Sequence, residues 1–160
     1  MNDFLSWMEA STLGRVMRQA GPWAYAITNV AHVLGVATLF GSILVLDLRL
    51  LGVWRRVSLA PLAAAIRPTA VVGFCLAVAS GVCLLATTAT DYIGNPFLLI
   101  KFPAIAVGLL NVAFLSRTQA WRARDRELSD GEQRQLARMG GLSLACWVTA
   151  VVAGRLIAYW

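Results

Sequence analysis

The sequence predicts an all-α integral membrane protein, a four-helix up-down bundle preceded by an amphipathic helix at the membrane interface. Three observations indicate this class. The mean hydropathy is +0.69, and only 14% of the residues are charged, against about a quarter in soluble domains. Nearly all charges fall outside four long apolar stretches, and the basic residues concentrate in two of the three connections.

The four apolar stretches are 22 to 28 residues long and contain no charged side chain except Lys101 in the third and Arg155 in the fourth. A spanning helix needs about 20 predominantly apolar residues. We therefore predict one bundle domain over residues 22–160, with spans at about 23–46, 68–90, 97–116 and 138–159.

Residues 1–21 precede the first span and predict a separate interfacial helix. A side of mostly apolar residues recurs at helical spacing, and Gly21-Pro22 ends the pattern. The residues on that side are Phe4, Leu5, Met8, Thr12 and Val16. Further along, Ser129 and Glu132 have the spacing of a capping box, which predicts that a helix begins there.

The connections predict how the chain is oriented. The first carries four arginines and the third carries six, whereas the second, residues 91–96, has neither Lys nor Arg. Because Lys and Arg accumulate on cytoplasmic loops, both termini are expected on the outer side of a bacterial inner membrane. The net charge of +6 then reflects this topology, so the expected partner is the lipid bilayer and not a nucleic acid.

Three ionisable residues lie within the outer halves of the predicted spans: His32, Lys101 and Arg155. Ionisable groups at such depth are costly and usually face the bundle interior or a partner. Lys101 and Arg155 either extend to the interface or hold an anion, such as a carboxylate, a phosphate headgroup or haem propionates. Lys101 shares a helical face with Asn111, which favours an anion site.

His32 is the only histidine and lies about 13 Å below the outer boundary. It either hydrogen-bonds a neighbouring helix, relays protons, or ligates a metal or haem iron. Cys83 is the nearest alternative ligand by depth, and all three cysteines are otherwise predicted to be small core residues. The leading hypothesis is a binding or electron-transfer module that holds an anionic cofactor, with haem b as the most concrete candidate, through His32, Lys101 and Arg155.

Two other functions remain open. One is a structural or assembly subunit of a homo-oligomer or larger membrane complex. The other is a small transporter, although the sequence offers no paired acid for proton coupling. No catalytic residue is predicted, because no Ser-His-acid set, paired carboxylates or phosphate-binding loop can be assembled.

Small and polar residues at helical spacing predict the packing faces of the spans, because helices in lipid associate through such residues. The first three spans present the sets Thr28, His32, Gly35 and Ser42; Gly73, Ala77, Ser80 and Thr87, ending at Asp91; and Lys101, Ala104, Gly108 and Asn111.

Asp47 and Arg49 lie at the cytoplasmic end of the first span. They are expected to have a structural role, with Asp47 pairing with a basic residue such as Arg117.

Several motifs together resemble a known family. They are DLRLLG (47–52), NPFLLIK (95–101) with Asn111 ten residues later, SLACW (143–147) and AGRLIAY (153–159). This combination resembles an uncharacterised family of small bacterial four-helix membrane proteins, a domain of unknown function. A looser likeness to the copper-resistance D membrane proteins lies in the histidine of the first span and the lysine of the third. The resemblance implies the same four-span topology and no established activity.

Overall fold

The computed structural model describes residues 2–160, which are 86% helical and contain no strand. The predicted all-α class is therefore confirmed. Within these residues there are seven α-helices and two 3₁₀ helices. The α-helices are α1 (Asn2–Ala10), α2 (Thr12–Gln19), α3 (Gly21–Leu50), α4 (Leu59–Thr87), α5 (Pro96–Arg117), α6 (Gln119–Arg122) and α7 (Asp130–Leu156), and the 3₁₀ helices cover Ala89–Tyr92 and Ile157–Tyr159.

Four helices in the described part of the chain are long and apolar enough to cross a membrane: α3, α4, α5, and α7 with its 3₁₀ extension. Only 22 to 33% of each apolar window is buried within the protein. Large side chains such as Val71, Val72 and Phe114 are about 60% exposed. Monomeric soluble proteins rarely expose apolar surface so continuously, and these helices are compatible with a multi-pass membrane protein.

The helices continue past the predicted spans on the side with the basic connections. The helix α3 ends at Leu50, α4 begins at Leu59, and α7 begins at Asp130. Charged residues marked the expected edges of the apolar core, but they do not interrupt helical hydrogen bonding. The capping box at the start of α7 is confirmed, because the Ser129 hydroxyl accepts from Glu132 N and the Glu132 carboxylate accepts from Ser129 N.

The N-terminal segment differs from the single amphipathic helix predicted for residues 1–21. It forms α1 and α2, separated at Ser11, whose hydroxyl accepts a hydrogen bond from Gly14 N at 3.2 Å and caps α2. The expected apolar side is divided as a result: Leu5 is buried, whereas Phe4 and Val16 are more than half exposed. The predicted break at Gly21 is present, with a positive φ of 81° that glycine adopts readily.

The chain divides into two compact units. Unit 1 contains the described residues through Leu39 together with Val71–Pro96. In it, the N-terminal helices are attached to the end of α4 and the following 3₁₀ helix. The Glu9 carboxylate accepts hydrogen bonds from Thr90 N and Oγ1, both at 2.7 Å. The Arg18 guanidinium donates to Thr87 O at 3.1 Å.

Unit 2 contains Phe40–Ala70 and Phe97–Trp160. Its apolar core joins the end of α3, the start of α4, the end of α5, the short α6 and the start of α7. The core residues are Leu50, Leu59, Ala63, Leu115, Ala120, Trp121 and Leu136. This core holds the ends of four helices in place around the polar residues described below.

Candidate functional sites

His32 lies in the contact between α3 and α4 in unit 1. Its Nδ1 is 2.9 Å from Ala77 O and 3.2 Å from Ser80 Oγ. Because a carbonyl oxygen only accepts, Nδ1 carries a proton and donates to Ala77 O. Metal-ligating histidines commonly use this arrangement, and so do histidines that only join two helices.

Glycines bring the two helices close together around His32. A Cβ at Gly35 would lie 2.6 Å from Ala77 N, and one at Gly73 would lie 2.5 Å from Leu39 N. Beside the imidazole, a Cβ at Gly81 would lie 3.0 Å from His32 Cε1. The face predicted from small residues is therefore the contact face of α3 and α4 in unit 1.

Lys101 and Arg155 occur together in unit 2, where α5 and α7 meet. The half-buried Lys101 side chain crosses Gly154, and a Cβ there would be 3.3 Å from Lys101 Nζ. The next residue, Arg155, is exposed. Its guanidinium lies 4.7 Å from the centroid of the Tyr159 ring and donates a hydrogen bond to the Tyr159 hydroxyl.

Asp47 is buried in unit 2, with 3% of its surface exposed. The Ser143 hydroxyl lies beside the carboxylate, and Oδ2 is buried without a hydrogen-bond donor. The clamp expected between Asp47 and a basic residue such as Arg117 is not formed: within residues 2–160 no cation lies within 4 Å of this carboxylate, and Arg117 is exposed. Helix rotation directs Asp47 towards α7 instead.

Two other predicted polar residues fix local structure in unit 2. Arg49 is buried and binds the connection after α3, donating from Nε to Val57 O at 2.6 Å and from Nη2 to Arg55 O at 3.2 Å. Asn111 is buried on α5 and donates from Nδ2 to Met139 O on α7 at 2.9 Å. Both side chains therefore connect their helix to the backbone of another segment of unit 2.

The remaining candidates are more dispersed. Asp91 is exposed on the 3₁₀ helix of unit 1. The cysteines are free, with Cys146 buried, Cys83 half-buried and Cys75 exposed. The expectation that all three are core residues is therefore wrong for Cys75, which lies on the outward side of α4. Across the described residues no cluster of three or more His, Cys, Asp or Glu side chains could hold a metal ion.

Two contacts were missed by the sequence analysis. Ser143 was quoted only within a motif, although it lies three residues after Gly140 and four before Trp147, at helical spacing with two other buried residues. The contact between Glu9 and Thr90 had no signal in the sequence, because it joins two short elements far apart in the chain.

The fold and these sites define a class of protein: an all-α chain with four membrane-length helices that carry a few polar side chains. The chain belongs to the Family of unknown function (DUF6644), whose profile matches residues 4–160. The predicted resemblance to an uncharacterised family is thus confirmed over nearly the whole chain. No curated protein and no solved structure matches it.

Proposed function

We propose that this protein is a multi-pass protein of the bacterial inner membrane that binds an anionic group where α5 and α7 meet in unit 2. The observation that carries the proposal is the placement of two cations there. Lys101 lies across Gly154, which is the residue before Arg155 in the chain. Neither the first ten residues of α5 nor the last ten residues of the chain contain Asp or Glu. Two positive charges in a low-dielectric setting favour a negatively charged partner.

Haem b is the most concrete form of this anion. Its propionates suit the lysine and the arginine of unit 2. An iron ligand in unit 1, His32, is an expectation from the sequence, where it is the single histidine, and the spectra below test it on its own. The hydrogen bond from His32 Nδ1 to Ala77 O supports ligation through Nε2, because such a bond fixes the tautomer and orientation of a ligating ring. In this form the protein serves electron transfer.

The orientation is proposed from the arginines. Four lie in the connection between α3 and α4 or near it, and six lie between the ends of α5 and α7. These connections are cytoplasmic by the positive-inside rule, which leaves both termini and the Lys101–Arg155 end outside. Labelling of single introduced cysteines with a membrane-impermeant maleimide tests this orientation. Asp91→Cys should react from outside, and Asp125→Cys should react only after the membrane is permeabilised.

The binding proposal is tested by absorption spectra of the detergent-purified full chain, oxidised and dithionite-reduced, from cells supplied with a haem precursor. We expect a Soret band that shifts on reduction and is lost in His32→Ala. Lys101→Met and Arg155→Met should retain less haem, whereas the control Arg138→Met, an exposed arginine at the other end of α7, should retain the wild-type amount. A colourless wild-type protein, or unchanged spectra in all three site variants, would overturn the haem form.

A structural or assembly subunit is the second candidate, in a homo-oligomer or a larger membrane complex. The close contact of α3 and α4 around His32 favours it, because packing alone accounts for the position of the imidazole. Colourless protein that co-purifies in fixed stoichiometry with one membrane partner, or as a defined oligomer of itself, would support this function. A solitary, colourless monomer would contradict both candidates.

A further inference from the structure

A second polar site in unit 2 is separate from the Lys101–Arg155 end. It is a cavity of about 60 Å³ bounded by α3, α4, α5, α6 and α7. Its walls are largely apolar, with Leu46, Leu115 and Trp121 among them. The polar residues that line it are Asp47, Arg67, Asn111, Ser116 and Ser143.

The Asp47 carboxylate is the acidic group among the residues that line this cavity. It is 97% buried, and its Oδ2 has no hydrogen-bond donor, while the Ser143 hydroxyl lies beside the carboxylate. A buried carboxylate with an unfilled acceptor position is costly unless a donor or a cation occupies that position. Each such orphan in a native protein calls for a bound water, ion or other partner.

Two neighbouring polar side chains, Asn111 and Ser116, donate hydrogen bonds to backbone carbonyls. Ser116 Oγ donates to Ala113 O at 2.7 Å, and Asn111 Nδ2 donates to Met139 O at 2.9 Å. A hydroxyl has one hydrogen, so Ser116 retains only oxygen lone pairs for another partner, and the Ser143 hydroxyl oxygen beside Asp47 is a further neutral acceptor. The amide nitrogen of Asn111 is turned towards α7, which leaves its side-chain oxygen as the acceptor for a ligand.

We propose that this cavity binds one small monovalent cation, with Na⁺ as the reference ion. The donor set consists of one carboxylate and neutral oxygens, which suits a hard cation and not a thiophilic metal. One negative charge matches one positive charge. The volume accommodates an ion with about one or two waters, since a water occupies about 30 Å³ of liquid.

Arg67 supplies the competing explanation. Its exposed side chain lines the same cavity, yet its guanidinium is not within 4 Å of the Asp47 carboxylate. If Arg67 closed onto Asp47, it would fill the acceptor position and exclude Na⁺. If the cavity binds Na⁺, the positive charge of Arg67 opposes binding, and removing it should tighten the site.

The experiment measures ²²Na⁺ binding to the detergent-purified full chain, together with thermal unfolding in NaCl and in choline chloride at equal ionic strength. We expect saturable binding of one Na⁺ per chain and a higher unfolding midpoint in NaCl. Asp47→Asn, which keeps the shape of the side chain, should abolish both effects. Ser143→Ala should weaken binding about tenfold, and Arg67→Gln should strengthen it several-fold. The control Asp91→Asn removes an exposed acid of unit 1 and should bind as the wild type does.

Three results would overturn the proposal. The first is a folded wild-type protein that binds no ²²Na⁺ and unfolds identically in both salts. The second is stabilisation by acid instead of Na⁺, with Asp47→Asn more stable than wild type, which would identify a bound proton. The third is a strong Asp47–Arg67 coupling in a double-mutant cycle, which would identify a direct ion pair. If Asp47→Asn does not fold, Ser143→Ala and Arg67→Gln still decide the outcome through their opposite effects, and none of these residues belongs to the Lys101–Arg155 site.

Discussion

Two polar residues of α3, the half-buried His32 and the buried Asp47, differ in how their hydrogen bonds are completed. In unit 1, His32 Nδ1 reaches Ala77 O on α4, and glycines allow the two helices to meet around the ring. In unit 2, Asp47 lies beside Ser143 and keeps Oδ2 without a donor next to a cavity. The same helix therefore uses one polar residue to join its neighbour and carries another whose acceptor position is unfilled.

The largest expected effect comes from closing the backbone contact of unit 1. In Gly73→Val, the new Cβ would lie 2.5 Å from Leu39 N and 3.0 Å from Gly35 O, so backbone must move. We expect a loss of about 3 kcal/mol or more in the free energy of unfolding, at the upper end of overpacking costs. Denaturant unfolding in detergent measures it. Gly41→Val is the control, because a Cβ there meets nothing within 4 Å; equal losses in the two variants would show that the contact is not tight.

The next effect tests whether His32 joins the helices of unit 1. His32→Ala removes the hydrogen bond to Ala77 O and leaves space beside Gly81, so we expect a loss of about 1–2 kcal/mol in the same assay. Thr28→Val is the matched control on α3, since the Thr28 hydroxyl bonds only within its own helix, to Ala24 O at 2.8 Å. An unchanged stability in His32→Ala would contradict the role of this hydrogen bond in joining α3 to α4.

A smaller effect concerns Gln133, whose side chain hydrogen-bonds a backbone carbonyl in unit 2. Gln133 Nε2 donates to Leu50 O at 2.8 Å, which satisfies a carbonyl at the end of α3. Gln133→Ala should cost about 1 kcal/mol, as judged by unfolding midpoints. The control is Gln135→Ala, which changes an exposed glutamine two residues later on α7 and should cost less than about 0.5 kcal/mol. A reversed order would mean that this carbonyl is satisfied without Gln133.

The smallest effect concerns the attachment of the N-terminal helices to unit 1. The hydrogen bond from the Thr90 backbone, with that from its hydroxyl and the charge of Arg18, lowers the pKa of Glu9 below its ordinary value of 4.5. A lowered folded-state pKa means that the attachment is fully stabilised above pH 4.5 and weakens as the pH falls through the lowered value. Limited proteolysis between α1 and α2 should therefore accelerate under acid.

Glu9→Gln provides the control for that pH dependence. The amide oxygen can still accept a hydrogen bond but carries no charge, so proteolysis of this variant should be faster than wild type at neutral pH and nearly independent of pH below 5. A wild-type rate that stays constant across the acidic range would contradict a role for the Glu9 carboxylate.

Individual residues show what sequence patterns predicted and what they missed. The break at Gly21, the cap at Ser129 and the small-residue faces were predictable, because each depends on residues within one or two helical turns. The division of the N-terminal segment at Ser11 was missed, since an apolar pattern at helical spacing continues across the cap. The predicted partner of Asp47 was also wrong, because residues were matched by depth in the membrane, which ignores the rotation of each helix about its axis.

The sequence by itself determined that the protein is all-α with four membrane-length helices, and it determined the family to which the chain belongs. The physical reason is local: predominantly apolar runs of about 20 residues and helix-start signals can be read without knowing any neighbour. Only the tertiary structure decided which polar groups are satisfied. His32 reaches Ala77, and Asp47 reaches Ser143 but keeps Oδ2 open, because hydrogen bonds between helices depend on the rotation and register of two segments far apart in the chain.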